Sequence, residues 1–283
     1  MDKIKEEMIQ VAGVSSNNTQ INRDFYNSEW SVKERYKNFK KFIIDLVETN
    51  KSVTFYKFSD GEYLWLNNKQ IGSVAAGVRD SNVKIRNLKP FREGVVQNDY
   101  LMCQLLNEHV RWFNHQFKRN FDYPVDYVYA LTAENWFTKT FNGQIGLIGA
   151  GPKLDLIKEL CTKQEYLDYL HFDGFTDYIK MPQRYLCDNL EAGEQIMAEQ
   201  LKNSTSNIFL VGIGHAQQAL LHKMKQYKDA VYIVVGSGID ALAGVQDNTR
   251  PYMANWINYQ IEGYDYTKID IWKEKFYNKR ILK

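Results

Sequence analysis

Two carboxylates, Asp60 and Glu62, flank Gly61 in the stretch FSDGEYLWL, directly after the apolar run VTFY. Like charges this close repel each other unless something positive lies between them. Hard divalent cations favour carboxylate oxygens. Side chains at i and i+2 lie on one side of an extended chain, and Gly61 lets the backbone turn so that both groups face one ion. The same residues also suit a helix N-terminus, with Asp60 as cap and Glu62 favoured by the helix dipole. Spacing by itself weighs towards the cap.

Glycine turns supply the next candidates. GAGPKLD and GIGHAQQ each follow an apolar run and open a helical pattern. Bare backbone N–H groups at a helix start attract phosphate, which singles out Gly149, Gly151, Gly212 and Gly214. Lys153 and His215 stand at the two starts, within reach of a diphosphate; a solvated lysine and a histidine bonded to nearby backbone are the plainer readings. GSGIDA at 236–241 fits G-x-G-x-x-[GA] and adds Gly238 to the set. No later strand with a terminal acid follows it, which disfavours a nicotinamide or flavin site. Asp240 in that turn is a polar active-site group or a turn residue. Arg79 and Arg250 lie in irregular polar segments, where arginines bind anionic substrates or serve as surface charges. There is no GxxxxGK[ST], so a P-loop is excluded, and His215 and His222 lack the HExxH arrangement of a zinc site.

These residues need elements to hold them. Trp30, Tyr36, Phe39, Ile43, Leu46 and Val47 recur at helical spacing behind Ser31, a candidate cap. VTFYKFS reads as the first strand. Residues 67–98 read as irregular and 99–121 as one long helix with Leu101, Leu105, Val110 and Phe113 inward. VDYVYAL reads as a strand, TAENWFTKTF as a short helix capped by Thr132, and GQIGLIGAG as a strand. PKLDLIKELC is a helix with Pro152 in its first turn, and DYIKMP a strand. A helix over 189–203, the strand NIFLVGIG, the helix HAQQALLHKMKQY and the strand AVYIVVGSG complete the series. Strands alternating with helices predict an α/β fold, a mostly parallel, Rossmann-like sheet with helices on both faces. Runs such as IFLV and VYIVV suit strands buried on both sides. Ligands bind such sheets at the carboxyl ends of the strands, where the acidic pair and the glycine turns fall. A polar leader over 1–28, one α/β domain over 29–250 and an aromatic, basic tail over 251–283 packed on it are expected.

The bulk composition sets limits. The 283 residues carry a formal charge of +2 and are 44% hydrophobic, enough for a real core and no demand for a polyanionic partner. The tail from Lys268 to Lys283 holds six basic residues against two acidic ones, which permits a nucleic-acid partner. Three widely spaced cysteines, Cys103, Cys161 and Cys187, form neither a disulfide framework nor a zinc knuckle and suit a reducing compartment. The charged N-terminus lacks a signal-peptide core, and no stretch reaches the length of a membrane span. A cytoplasmic protein is expected.

FSDGE after a strand resembles the RFGDGE-type motif of the GT-D glycosyltransferases, a family once called a domain of unknown function. IGAGPKLDLIKEL, FLVGIGHAQQALL and VGSGIDALAG follow in similar order, so the resemblance covers about residues 53–245. Ser59 stands where a glycine is common and Lys57 where an arginine is common. The resemblance implies that Asp60 and Glu62 hold Mn2+ or Mg2+, which binds the diphosphate of a nucleotide-sugar donor, UDP-linked by preference. It implies transfer to an acceptor hydroxyl of a glycan or glycoprotein. An inverting mechanism needs a base to deprotonate that hydroxyl, and Asp240 is the first candidate and His215 the second. Two alternatives stand beside it. One is a phage-type transferase acting on a hydroxymethylated base of DNA. The other is a nucleotide-binding module without catalysis, in which the acidic pair only caps a helix.

Overall fold

A computed structural model describes residues 32–67, 87–103, 107–124, 131, 135–245, 256, 259–269 and 280–283. The expected leader, Ser31, Arg79, Thr132, Arg250, residues 270–279 of the basic tail and most of VDYVYAL lie outside the described residues. Seven strands form one all-parallel sheet: β1 (Val53–Phe58), β2 (Tyr100–Cys103), β3 (Tyr123–Pro124), β4 (Ile145–Ala150), β5 (Asp177–Met181), β6 (Ile208–Gly212) and β7 (Val231–Val234). Their order is β3-β2-β1-β7-β6-β4-β5. Among the described residues the α-helices before, between and after them are α1 (Val32–Glu48), α2 (Asp60–Leu66), α3 (Lys89–Val96), α4 (Asn107–Phe117), α5 (Trp136–Thr140), α6 (Gly151–Leu160), α7 (Gln164–Leu170), α8 (Leu190–Lys202), α9 (Gln217–Leu220) and α10 (Gly238–Leu242).

The sheet separates two apolar layers. On one face Phe55, Leu147, Leu210 and Ile233 pack with Phe39 and Ile43 of α1 and Leu154 and Ile157 of α6. On the other, Tyr56, Phe58, Val211 and Tyr232 pack with Trp65 of α2, Val95 of α3, Phe113 of α4 and Met197 of α8. Strand side chains alternate between the layers, so the central strands are buried on both sides as their unbroken apolar runs require. The described part of the tail joins the first layer. Trp256, Tyr259, Ile261, Ile269 and Leu282 are all buried there, and β8 (Tyr259–Ile261) pairs in parallel with β9 (Arg280–Leu282).

Two stretches differ from the sequence reading. Residues 99–121 are not one helix: Tyr100–Cys103 forms β2, with Phe55 opposite Tyr100 and Phe58 opposite Cys103. Leu101, Met102 and Cys103 are fully buried, and a short apolar run buried on both faces has no period that tells strand from helix. Within 67–98, read as irregular, Lys89–Val96 forms α3 with Pro90 in its first turn. The expected helix HAQQALLHKMKQY is one turn of α-helix, α9, between 3-10 segments at Gly214–Ala216 and Leu221–Gln226. Helix α3 crosses this segment at its glycine. A Cβ on Gly94 would lie 2.2 Å from the Gln218 carbonyl oxygen.

The chain leaves β1 towards β2 but enters β7 from β6 on the other side, and β1 and β7 pair directly, Phe55 opposite Ile233. The connections after β4 and β6 likewise diverge, to β5 and to β7. Such divergence opens a crevice at the carboxyl ends of the strands. Among the described residues no helix is long and apolar enough to cross a membrane.

Candidate functional site

The acidic pair lies where β1 gives way to α2. Ser59 is the N-cap, in extended backbone with φ −139°, and Asp60 is the first helical residue rather than the cap. The two carboxylates then part company. Asp60 is exposed, while Glu62 is only 7% exposed. Glu62 closes a capping box: its Oε2 accepts from the Ser59 backbone N–H at 3.0 Å and from the Ser59 hydroxyl. Its Oε1 accepts from Nε2 of the buried Gln217 at 3.2 Å. These donors stabilise a negative charge that burial alone would penalise. Beneath it, burial and the Glu62 carboxylate hold the Tyr56 phenol well above its usual pKa.

His215 completes this side of the site as a packing group. It is 4% exposed and stacks on Trp65 of α2. Its Nδ1 lies 3.4 Å from Nε2 of Gln218. The preceding Gly214 has φ +59°, in the left-handed region that glycine enters without steric penalty. That turn carries His215 up against α2, where a Cβ on Gly61 would sit 3.5 Å from its Cε1. On α4, the buried His109 stacks on Tyr63 with centroids 4.2 Å apart.

The other face of the same edge brings together two residues singled out separately in the sequence. Lys153 of α6 and Asp240 of α10 form an ion pair, their side chains 17% and 29% exposed. Gly149 and Gly212 sit opposite each other in β4 and β6. The space above both is taken by Ile239. A Cβ on Gly212 would meet Ile239 Cγ1 at 2.6 Å, and one on Gly149 would meet Ile239 Cγ2 at 3.2 Å. The Gly238 amide donates to the Val235 carbonyl at 2.9 Å. Gly151 opens α6, where a Cβ would make ordinary contact with Lys180 Cβ at 3.8 Å without a clash. Among the described residues no cluster of three or more His, Cys, Asp or Glu side chains surrounds a metal position.

Two further members of this edge were given no role in the sequence reading. Gln217 reads as an ordinary helical glutamine, and only the fold brings it to Glu62. Lys57 had a signal, a lone charge inside the apolar run VTFYKF. It is 8% exposed, and its Nζ lies 3.2 Å from where a Cβ on Gly236 would stand.

The fold and this edge define a doubly wound, parallel α/β protein with its polar groups at the carboxyl ends of the strands. No protein-family model matches the chain, and no curated protein sequence matches it. Among solved structures it is similar to one described as a new glycosyltransferase (DUF1792) from Streptococcus sanguinis. The identity is 16%, the match covers 71% of this chain and 80% of that one, and the TM-score is 0.45.

Proposed function

We propose that this protein is a metal-dependent glycosyltransferase that moves a sugar from a nucleotide-sugar, UDP-linked, to a hydroxyl of a glycan or glycoprotein. The observation that carries the reading is the division of labour between Asp60 and Glu62 at the end of β1, the inner strand beside β7. One carboxylate is exposed and the other is buried and oriented by Ser59 and Gln217. This all-oxygen donor set fits a hard cation such as Mn2+ or Mg2+, with Asp60 and Glu62 as the residues that would hold it. When bound, the cation supplies neutralising charge for the leaving diphosphate.

The protein's own groups supply the rest. Lys153 and the start of α6 at Gly151 face the donor phosphates, together with the Gly214 turn. Lys153 is paired with Asp240, so an incoming phosphate competes for its ammonium. Asp240, released from that pair, accepts the proton of the acceptor hydroxyl. His215 is too deeply packed against Trp65 for that task.

The capping box favours a second reading, a nucleotide-binding module in which Glu62 serves only the helix. Incubation with a panel of nucleotide-sugars and manganese, scoring sugar release, separates the two. The enzyme reading expects turnover that chelator abolishes and manganese restores. Nucleotide binding without turnover, insensitive to chelator and to Asp60→Asn, would replace it with the module.

A further inference from the structure

We infer that Gln217 is a third oxygen ligand of the cation held by Asp60 and Glu62, brought into play by reversal of its side-chain amide; the inference deepens the metal-dependent reading above and rests on it. Two carboxylates leave much of a hard cation's shell to other oxygens, and amide carbonyls are among the groups that fill it. Gln217 is 2% exposed, and its Nε2 donates to Glu62 Oε1 at 3.2 Å. At the other end of the same amide, Oε1 is buried and accepts no hydrogen bond from the described residues. A buried acceptor left in that state costs about 1–3 kcal/mol, so this orientation satisfies the amide at one end only.

A side-chain amide carries an oxygen and a nitrogen of nearly equal shape. Turned over, Gln217 sets its oxygen beside Glu62 Oε1 and gives up a single hydrogen bond, since Oε1 holds none. Two oxygens that close repel each other unless a cation lies against both. In the octahedral shell of a cation such as Mg2+, with metal–oxygen distances of about 2.1 Å, neighbouring oxygens stand about 3 Å apart. The two atoms are 3.2 Å apart before any movement. The backbone holds both partners in place. The Gly214 turn, φ +59°, sets His215 against Gly61, where a Cβ would meet its Cε1 at 3.5 Å. Glu62 is fixed from its other side by the Ser59 amide and hydroxyl. The N–H end of Gln217 thus neutralises Glu62 when no cation is bound, and the oxygen end joins it when one is.

The first test is calorimetric titration of the full chain with MnCl2, with and without UDP. Gln217→Met keeps the length of the side chain and loses both polar ends. It is expected to weaken Mn2+ binding about 10–100-fold. A residue that only orients Glu62 could have the same effect, so a second readout is needed. Electron–nuclear double resonance of the Mn2+ complex, with 13C at glutamine Cδ, supplies it. A carbonyl bonded to the ion gives a strong carbon coupling that Gln217→Met abolishes, whereas an amide outside the shell gives none of that strength. Gln217→Glu offers oxygens and no N–H. It should bind Mn2+ at least as tightly as the unaltered protein, yet have a lower Tm in chelator because like charges face each other. Mn2+ bound by the unaltered protein without that coupling, unchanged affinity in Gln217→Met, or weaker binding by Gln217→Glu would each overturn the inference. All three would leave the metal-dependent reading intact, with Gln217 as a hydrogen-bond partner of Glu62. Failure of the unaltered protein to bind Mn2+, with or without UDP, would overturn both.

Discussion

The imidazole of His215 lies flat on the indole of Trp65, ring centroids 4.5 Å apart and planes 16° from parallel. Both rings are buried, so the contact ties the Gly214–Ala216 turn to helix α2 and keeps Gln217 beside Glu62. We expect His215→Ala to destabilise the fold by about 1–3 kcal/mol, the combined loss of stacking and packing. Urea denaturation measures this. If the glycosyltransferase reading holds, the pH–rate profile of His215→Asn should keep the shape of the unaltered protein's profile. Loss of one limb would instead make His215 the general base.

Asp60 and Glu62 should separate in stability, although the glycosyltransferase reading expects both to be needed for transfer. Asp60→Asn alters an exposed first-turn residue and should leave Tm nearly unchanged. Glu62→Gln replaces one buried acceptor oxygen with a donor facing Ser59 or Gln217. That leaves a hydrogen-bond partner unsatisfied and should cost about 1–3 kcal/mol. Thermal denaturation and manganese-dependent sugar release, measured on both variants, check the contrast. Equal stability losses would mean that the burial difference has no energetic weight.

The alternation of strands and helices was legible because β1, β4, β6 and β7 are apolar runs ended by glycine or acidic turns. The turns at Gly149, Gly212 and Gly236 could be placed at strand ends for the same reason. Their use was not legible. That Ile239 fills the space above Gly149 and Gly212 depends on how α10 docks, which no local pattern encodes. The strand β2 was missed because Leu101, Met102 and Cys103 are buried on both faces and so carry no period. Lys153 and Asp240 were each visible as polar residues after a glycine turn. Their ion pair joins helices distant in sequence, and only the sheet order brings them together.

Gly212 offers a direct measure of that docking. Gly212→Ala would drive a methyl into Ile239 Cγ1 and the Gly236 carbonyl oxygen, 2.6 and 2.7 Å away. We expect a loss of about 1–3 kcal/mol from overpacking. Combined with Ile239→Ala, the two losses should sum to less than their separate values, because the clash and the cavity relieve each other. Strict additivity in a denaturant double-mutant cycle would show that Ile239 is not the obstacle.

His222 is expected to make stability pH-dependent. Burial first, then the neighbouring Lys223 and Lys225 charges, lower its pKa to about 4, with Glu194 opposing. An unfolded histidine titrates near 6.5. Between those values the unfolded chain binds more protons than the folded one, so stability falls as pH drops from about 6.5 to about 4. Above that window the contribution is constant. Replacing the imidazole in His222→Gln should flatten the dependence of Tm on pH within the window. An unchanged slope would trace the acid sensitivity to other groups.

The basic tail offers a test of the acceptor. Among its charges, Arg280 is already engaged: it donates to the Tyr259 hydroxyl at 3.1 Å, sits over the rings of Tyr169 and Tyr259, and lies 3.9 Å from Glu165. An arginine held by two tyrosines and a glutamate is poorly disposed to neutralise a DNA phosphate. Each phosphate contact made by a duplex-binding protein steepens the salt dependence of log K by about one unit per log unit of salt. We therefore expect acceptor affinity for a glycan to be nearly independent of salt. Arg280→Ala should lower Tm slightly by loosening the pairing of β8 and β9 on the domain, with acceptor affinity unchanged. Gel-shift series on modified and unmodified duplexes, run from low to physiological salt with both proteins, test this against the nucleic-acid alternative. A steep salt slope that Arg280→Ala reduces by about one unit would move the acceptor from glycan to DNA.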